Sequence, residues 1–249
     1  MSYAAVCIIR KIAAYLLCLI MPTVSSVVLS ARNVYEAEES ARVKAQFIDQ
    51  MLSRARQLKI EESFRRAHYK GDIGVCKNYV DYLFKSYAGR YRMREYPDVR
   101  LVIPGNNPAE DCAPYKYGVG WRDVAADSGN AFVMVGEFRY DTGLTVEENS
   151  AAARAMIERV QRGDFFQMAG DYGGGIGPHS LVFTADYDTE TGALRWTDSN
   201  RTGRMINGER WGNIEYDKEF SIEWLVSAIS IPEYGATLYR LRDDLVRVR

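Results

Sequence analysis

The sequence predicts an α+β fold, with helices gathered in the first third of the chain and antiparallel strands in the last hundred residues. Three observations carry this expectation. From Asn33 to about Ala67 the chain is rich in Ala, Glu, Arg, Gln and Lys, and Val43, Phe47, Ile48, Met51 and Leu52 recur at helical spacing. A second apolar stripe, Cys76, Tyr79, Val80, Leu83 and Tyr87, falls at i, i+3, i+4, i+7 and i+11. Beyond Gly163 the helical period gives way to short apolar runs punctuated by Gly and Asp, the pattern of hairpin-linked strands.

The elements follow in order. Arg10 and Lys11 precede the apolar run Ile12–Met21, and Pro22 with small and β-branched residues leads to Ala31. This layout predicts that residues 1–31 are a signal peptide or a membrane anchor, and hence an exported protein, periplasmic, cell-envelope-bound or secreted. Residues 32–68 form an N-terminal helical segment, which either packs on the core or serves as a stalk from the membrane. A single domain spans residues 69–249, with an insertion at about 89–145 that contains the turn cluster Pro104–Pro108 and an apolar strand at Ala131–Val135. Gly71–Gly74 breaks the first helical stretch, and a helix runs from Val75 to Tyr87. Another is expected over Thr145–Arg162, with Glu147 and Glu148 in its first turn and Arg159 and Arg162 in its last, as the helix dipole favours. Then come a Gly163-Asp164 turn, a strand at Phe165–Met168, a glycine-rich loop from Gly170 to Gly177, a strand at His179–Ala185, a hairpin at Asp188–Gly192 and a strand at Ala193–Asp198. Further strands are expected near Ile214–Tyr216 and Thr237–Leu241, with a helix around Ile222–Ser227.

At 249 residues and 47% hydrophobic content, the chain suffices for one core with insertions plus a leader, but not for two generous domains. A formal net charge of -1, with no Lys/Arg run and no basic stripe along the sequence, argues against nucleic acid as a partner. Asp186, Asp188 and Glu190 alternate as in a calcium loop, but the glycine falls one place late and Thr197 stands where the closing glutamate belongs. Gly173–Gly177 precedes a strand and not a helix, unlike a phosphate loop. Neither a metal nor a cofactor is expected.

Chemistry converges on a cysteine and a histidine. The chain has only two histidines, and His179 opens an apolar strand about a hundred residues after Cys76, which begins a helix. A helix N-terminus favours the thiolate, a histidine takes or holds its proton, and a third polar group orients the imidazole. Strand alternation puts His179, Leu181 and Phe183 on one face, and Leu194, Trp196, Asp198 and Asn200 on one face of the next strand; both faces are expected to meet the Cys76 helix. Asp198 is the favoured orienting residue and Asn200 the alternative, because a bulge at Gly192 would shift the register by one residue. His68, eight residues before the cysteine in a charged helical stretch, reads as surface. Cys7 and Cys18 lie in the leader, so Cys76 and Cys112 remain, and a disulfide between them would consume the nucleophile.

This order, cysteine at a helix start, Gly163-Asp164 before a strand, His179-Ser180-Leu181-Val182-Phe183, then Asp198-Ser199-Asn200 on the following strand, resembles the papain-like bacterial cell-wall hydrolases, the NlpC-type peptidases and the CHAP amidases. The resemblance covers residues 71–86 and 160–200; where NlpC-type enzymes have Asp-Cys-Ser, this chain has Val75-Cys76-Lys77. It implies a papain-like core, with the nucleophile helix packed on an antiparallel sheet, and a Cys-His-polar triad that cleaves an amide in peptidoglycan peptide stems or another peptide. It further implies an oxyanion hole built from the nucleophile's backbone N–H and an upstream side chain, for which Tyr69 is the candidate. Two other readings share these residues: a non-catalytic cell-envelope binding or scaffold protein that retains the fold, and an acyltransferase that uses the same triad.

Overall fold

The computed structural model describes residues 34–61, 63–68, 71–103, 129–171, 176–232 and 234–248. The expected leader, Tyr69, the turn cluster Pro104–Pro108 and Cys112 lie outside the described residues. Among the described residues no helix is long and apolar enough to cross a membrane.

The first helix, α1, spans residues 34–61. Its apolar stripe extends the predicted one: Val43, Phe47, Ile48, Met51, Leu52, Ala55 and Leu58 are all buried. They share a core with the second helix, α2 (Cys76–Ala88), where the Phe47 ring stands edge-on to Tyr91 at 4.8 Å and Phe84 meets Phe132 in the same way at 4.8 Å. The segment is therefore part of the fold, not a stalk. The predicted helix was too long at its C-terminal end, because the chain turns into a short strand, β1 (Phe64–Arg66).

The next elements are β2 (Tyr91–Met93), β3 (Phe132–Arg139), α3 (Val146–Ile157), β4 (Phe165–Asp171), β5 (Ile176–Phe183), β6 (Ala193–Ile206), β7 (Glu209–Ser221), α4 (Ile222–Ile229), β8 (Gly235–Leu241) and β9 (Leu245–Arg247). Seven strands form one sheet in the order β1-β7-β6-β5-β4-β8-β3, antiparallel throughout, and β2 pairs with β9 in a small second sheet. The fold is thus α+β, as expected. The insertion is narrower than predicted, since the described ends of the 89–145 stretch, β2 and β3, are both paired into these sheets. Helix α3 was expected over Thr145–Arg162; it starts at Val146, with Thr145 as a cap that exchanges hydrogen bonds with Glu148 in a capping box, and it ends at Ile157, leaving Arg159 and Arg162 beyond it.

The large sheet is covered on both faces. One face packs on α1 and α2 through Phe165, Val182, Ile214 and Tyr239. The other packs on α3 and α4 through Phe166, Leu181, Phe183, Leu194 and Trp196. The apolar residues that share a face with His179 and Asp198 therefore meet α3 and α4, not the Cys76 helix as expected. The Gly163-Asp164 turn is structural: Gly163 has φ +88, and the buried Asp164 accepts from Arg240 Nε at 2.8 Å and Nη2 at 2.7 Å, tying the start of β4 to β8.

The loop before Cys76 is held by backbone contacts. Gly74 N–H donates to Arg66 O at 2.9 Å, Val75 N–H donates to Asp72 O at 3.1 Å, and Asn78 Nδ2 donates to the same carbonyl at 3.0 Å. Gly212 of β7 lies directly under this loop, and a Cβ there would stand 2.0 Å from Gly74 O. No side chain fits, because the obstacle is the Gly74 backbone, which its own N–H ties to Arg66 O. Gly212→Ala is expected to cost about 1–3 kcal/mol, read as a lower urea midpoint at unchanged slope. A midpoint equal to that of the wild type would contradict this packing.

Candidate active site

Cys76 is the first residue of α2, and Val75, the N-cap, offers no side-chain acceptor. The first-turn N–H groups thus face the thiol without a competing cap, and the helix dipole favours negative charge there. The helix is seated on the sheet by Tyr79, whose hydroxyl donates to Thr197 Oγ1 at 2.7 Å, while Thr197 donates to Glu215 O at 2.7 Å.

His179 lies within β5, and the register decides what it can reach. Phe183, Val182 and Leu181 pair with Trp196, Thr197 and Asp198, and the β5–β6 ladder ends there. His179 and Ser180 lie just beyond, where the two strands part, and the Cys76 thiol reaches them at this opening: it hydrogen-bonds the His179 ring and accepts the Ser180 backbone N–H. Continued pairing would have set His179 opposite Asn200. The imidazole instead reaches diagonally, with Nε2 3.0 Å from Asp198 Oδ2, leaving Nδ1 as the nitrogen for the sulfur.

Asp198 and Asn200, alternatives in the sequence, act in series. Asn200 Nδ2 donates to Asp198 Oδ1 at 2.9 Å, and Trp196 Nε1 donates to Asp198 Oδ2 at 3.0 Å. Gly192, with φ 70, closes the hairpin as a glycine bulge: its N–H donates to Asp188 O at 2.8 Å, and Asp188 N–H donates to Ala193 O at 3.1 Å. A further irregularity lies between β6 and β7, where Thr197 alone faces two residues of β7 and Asp217 takes φ 57. Because the extra residue is on β7, the alternation of β6 persists and Trp196, Asp198 and Asn200 stay on one face.

The electrostatics follow from burial against pairing. Burial, the strongest single influence, pushes the Cys76 thiol up. The hydrogen bond and charge of His179, with the N–H groups of Ser180 and Lys77, outweigh it and hold the thiol below its ordinary value. Burial also opposes the charged imidazole, yet the hydrogen bonds to Asp198 and Cys76 and the charges of both raise His179 to about 10. Asp198, deeply buried, is kept below the usual carboxylate range by His179, Lys218 and the Trp196 N–H. These directions describe a thiolate–imidazolium pair with a carboxylate behind it. Cys76 is a free cysteine, and the residue as a whole is half-buried.

Of the sequence candidates, Cys76, His179, Asp198 and Asn200 come together. His68 is exposed, in a bend rather than the predicted helix, and its N–H bonds Asp72 Oδ2 at 3.0 Å. Sequence reasoning missed the Trp196 indole and the Ser180 N–H. Trp196 was legible only as an apolar neighbour, though its position two residues before Asp198 on one strand face was the available signal. In comparisons with known proteins, no family model, no curated protein and no solved structure matches this chain.

Alkylation of Cys76 by iodoacetamide, followed by mass spectrometry of its peptide, is expected to titrate with a midpoint below the ordinary thiol range, falling off at acid pH as the thiolate is protonated. In His179→Ala, burial acts without its main counterweight, so the midpoint moves up and the rate at neutral pH drops at least about tenfold. An unchanged midpoint in the variant would refute the pairing.

Proposed function

We propose that this protein is a papain-like cysteine hydrolase that cleaves an amide bond. The observation that carries the reading is the Cys76 thiol hydrogen-bonded to a buried His179, which Asp198 holds from behind. The thiolate attacks the carbonyl carbon, forming a carbon–sulfur bond and an oxyanion. The intermediate collapses as the carbon–nitrogen bond breaks, and His179 gives its proton to the leaving amine. Water then attacks the thioester, losing its proton to His179, and the acid leaves as the thiolate is restored. Asp198 keeps the ring oriented and stabilises its positive form. In this reading the first-turn N–H groups of α2, which no N-cap side chain occupies, serve as the oxyanion donors.

The resemblance in the Cys76, Gly163-Asp164, His179 and Asp198-Ser199-Asn200 segments supports peptidoglycan peptide stems as the substrate and an exported site of action. Purified peptidoglycan incubated with the protein is expected to release new amino groups. Cys76→Ala abolishes the release, His179→Ala lowers it by about 10²–10⁴, and Cys112→Ala leaves it intact. The rate rises with pH as Cys76 deprotonates and falls as pH passes through about 10, where His179 loses the proton it must donate. Undiminished release by Cys76→Ala would sink the reading.

A further inference from the structure

A buried hydroxyl without a hydrogen-bond partner is unfavourable, and folded proteins rarely leave one in place. Ser199 is such a group: the residue is wholly buried, and its Oγ has no hydrogen-bond partner among the described residues.

Strand pairing places it beneath the nucleophile. Ser199 is opposite Ile214 of β7, which faces α1 and α2, so its side chain lies on the helix side of the sheet. Two residues earlier on that face, Thr197 meets the Tyr79 hydroxyl; two residues later, Arg201 is opposite Gly212, which admits the Gly74 backbone. Ser199 therefore lies under the chain between Gly74 and Tyr79, where α2 starts. It also borders the opening between β5 and β6, because Leu181 and Asp198 are the last pair and Ser180 and Ser199 are the next residues of the two strands. Ser180 gives its N–H to the Cys76 sulfur and its hydroxyl to Gln167 Oε1 at 2.6 Å. The Ser199 hydroxyl is a second donor at the same opening, and the sulfur does not take it.

Acyl transfer creates negative charge here twice, first on sulfur and then on the oxygen of the carbonyl that the sulfur attacks. The first charge is met by His179 and by the N–H groups of Ser180 and Lys77. The second exists only during the reaction, so a donor that serves it stands unused in the resting protein. We infer that Ser199 is a catalytic residue whose hydroxyl donates to the oxyanion formed on the scissile carbonyl, together with the first-turn N–H groups of α2. This rests on the proposed hydrolase and names a side chain of its oxyanion hole. As the carbon–sulfur bond forms, the π pair of the carbonyl moves onto oxygen, and Ser199 hydrogen-bonds that oxygen while keeping its own proton. When the pair returns, the bond to the leaving group breaks.

The test compares two reagents on the full chain. Iodoacetamide alkylates the sulfur by displacement and forms no oxyanion, whereas p-nitrophenyl acetate acylates it through one and releases p-nitrophenolate, read by absorbance against a Cys76→Ala background. Ser199→Ala is expected to slow acylation about a hundredfold and to leave the iodoacetamide rate and its pH midpoint as in the wild type. Its urea midpoint is expected to be equal or higher, because the substitution deletes an unpaired polar atom. Acylation as fast in the variant as in the wild type would overturn the inference. So would equal slowing with both reagents, which would place the hydroxyl on the thiolate and not on the oxyanion. An acetyl-enzyme that forms but is not released by water would instead count against the hydrolase reading, and the ratio of the two rates would still report on Ser199.

Discussion

A charged imidazole inside a sheet is the constraint to which the rest of this site answers. Taking a cation out of water costs several kcal/mol unless a partner repays it, and His179 is deeply buried. Asp198 is the repayment from one side and the Cys76 thiolate from the other. The carboxylate is then itself a buried charge with a cost of its own. Trp196, Asn200 and the nearby Lys218 meet it, so that each Asp198 oxygen has a donor. Removal of one member of such a buried set leaves the others uncompensated, which is why a loss of about 3–5 kcal/mol is typical when one partner of a buried pair goes.

The sheet creates the site by ceasing to be a sheet. Where β5 and β6 part beyond Leu181 and Asp198, the Ser180 N–H loses its strand partner, and a buried donor without an acceptor is unfavourable. The Cys76 sulfur takes that donor. One local event, the end of a ladder, thus admits the Cys76 thiol, supplies it with a hydrogen bond and frees the imidazole to turn toward it. The approach depends on the absence of side chains at Gly74 and Gly212, whose backbones meet directly. Thr197, donating to β7 and accepting from Tyr79, fixes the distance from the other end of the contact.

Much of this was legible before any coordinates. The α1 and α2 stripes are strongly periodic and amphipathic, and both helices are where the period places them. Cys76, His179 and Asp198 stood out because histidine is scarce and because strand alternation groups side chains without knowledge of register. What stayed hidden depended on pairing between distant segments. The β6–β7 hairpin had a local signal, since Asn207-Gly208, both with positive φ, is the dipeptide of a two-residue hairpin turn; what the sequence hid is the register break between Arg201 and Met205, which only the pairing with β7 reveals. β1 is a charged tripeptide that reads as the tail of a helix until β7 is set beside it.

The ambiguity between Asp198 and Asn200 has a physical resolution. Register alone favours Asn200 as the residue facing His179, and an amide there could orient the ring. It could not balance the charge, because a neutral acceptor leaves the buried imidazolium with the thiolate as its only counter-ion. In the proposed hydrolysis the sulfur is consumed in a thioester, so that counter-ion disappears and the carboxylate alone remains to hold a proton on the ring or to favour its return. A diagonal reach to Asp198 accepts a poorer strand register in exchange for a permanent negative charge. Asn200, displaced from the ring, becomes the donor that keeps that charge aimed. The same two residues in the opposite order would orient the histidine but leave its charge dependent on the thiolate, the group that the proposed reaction removes.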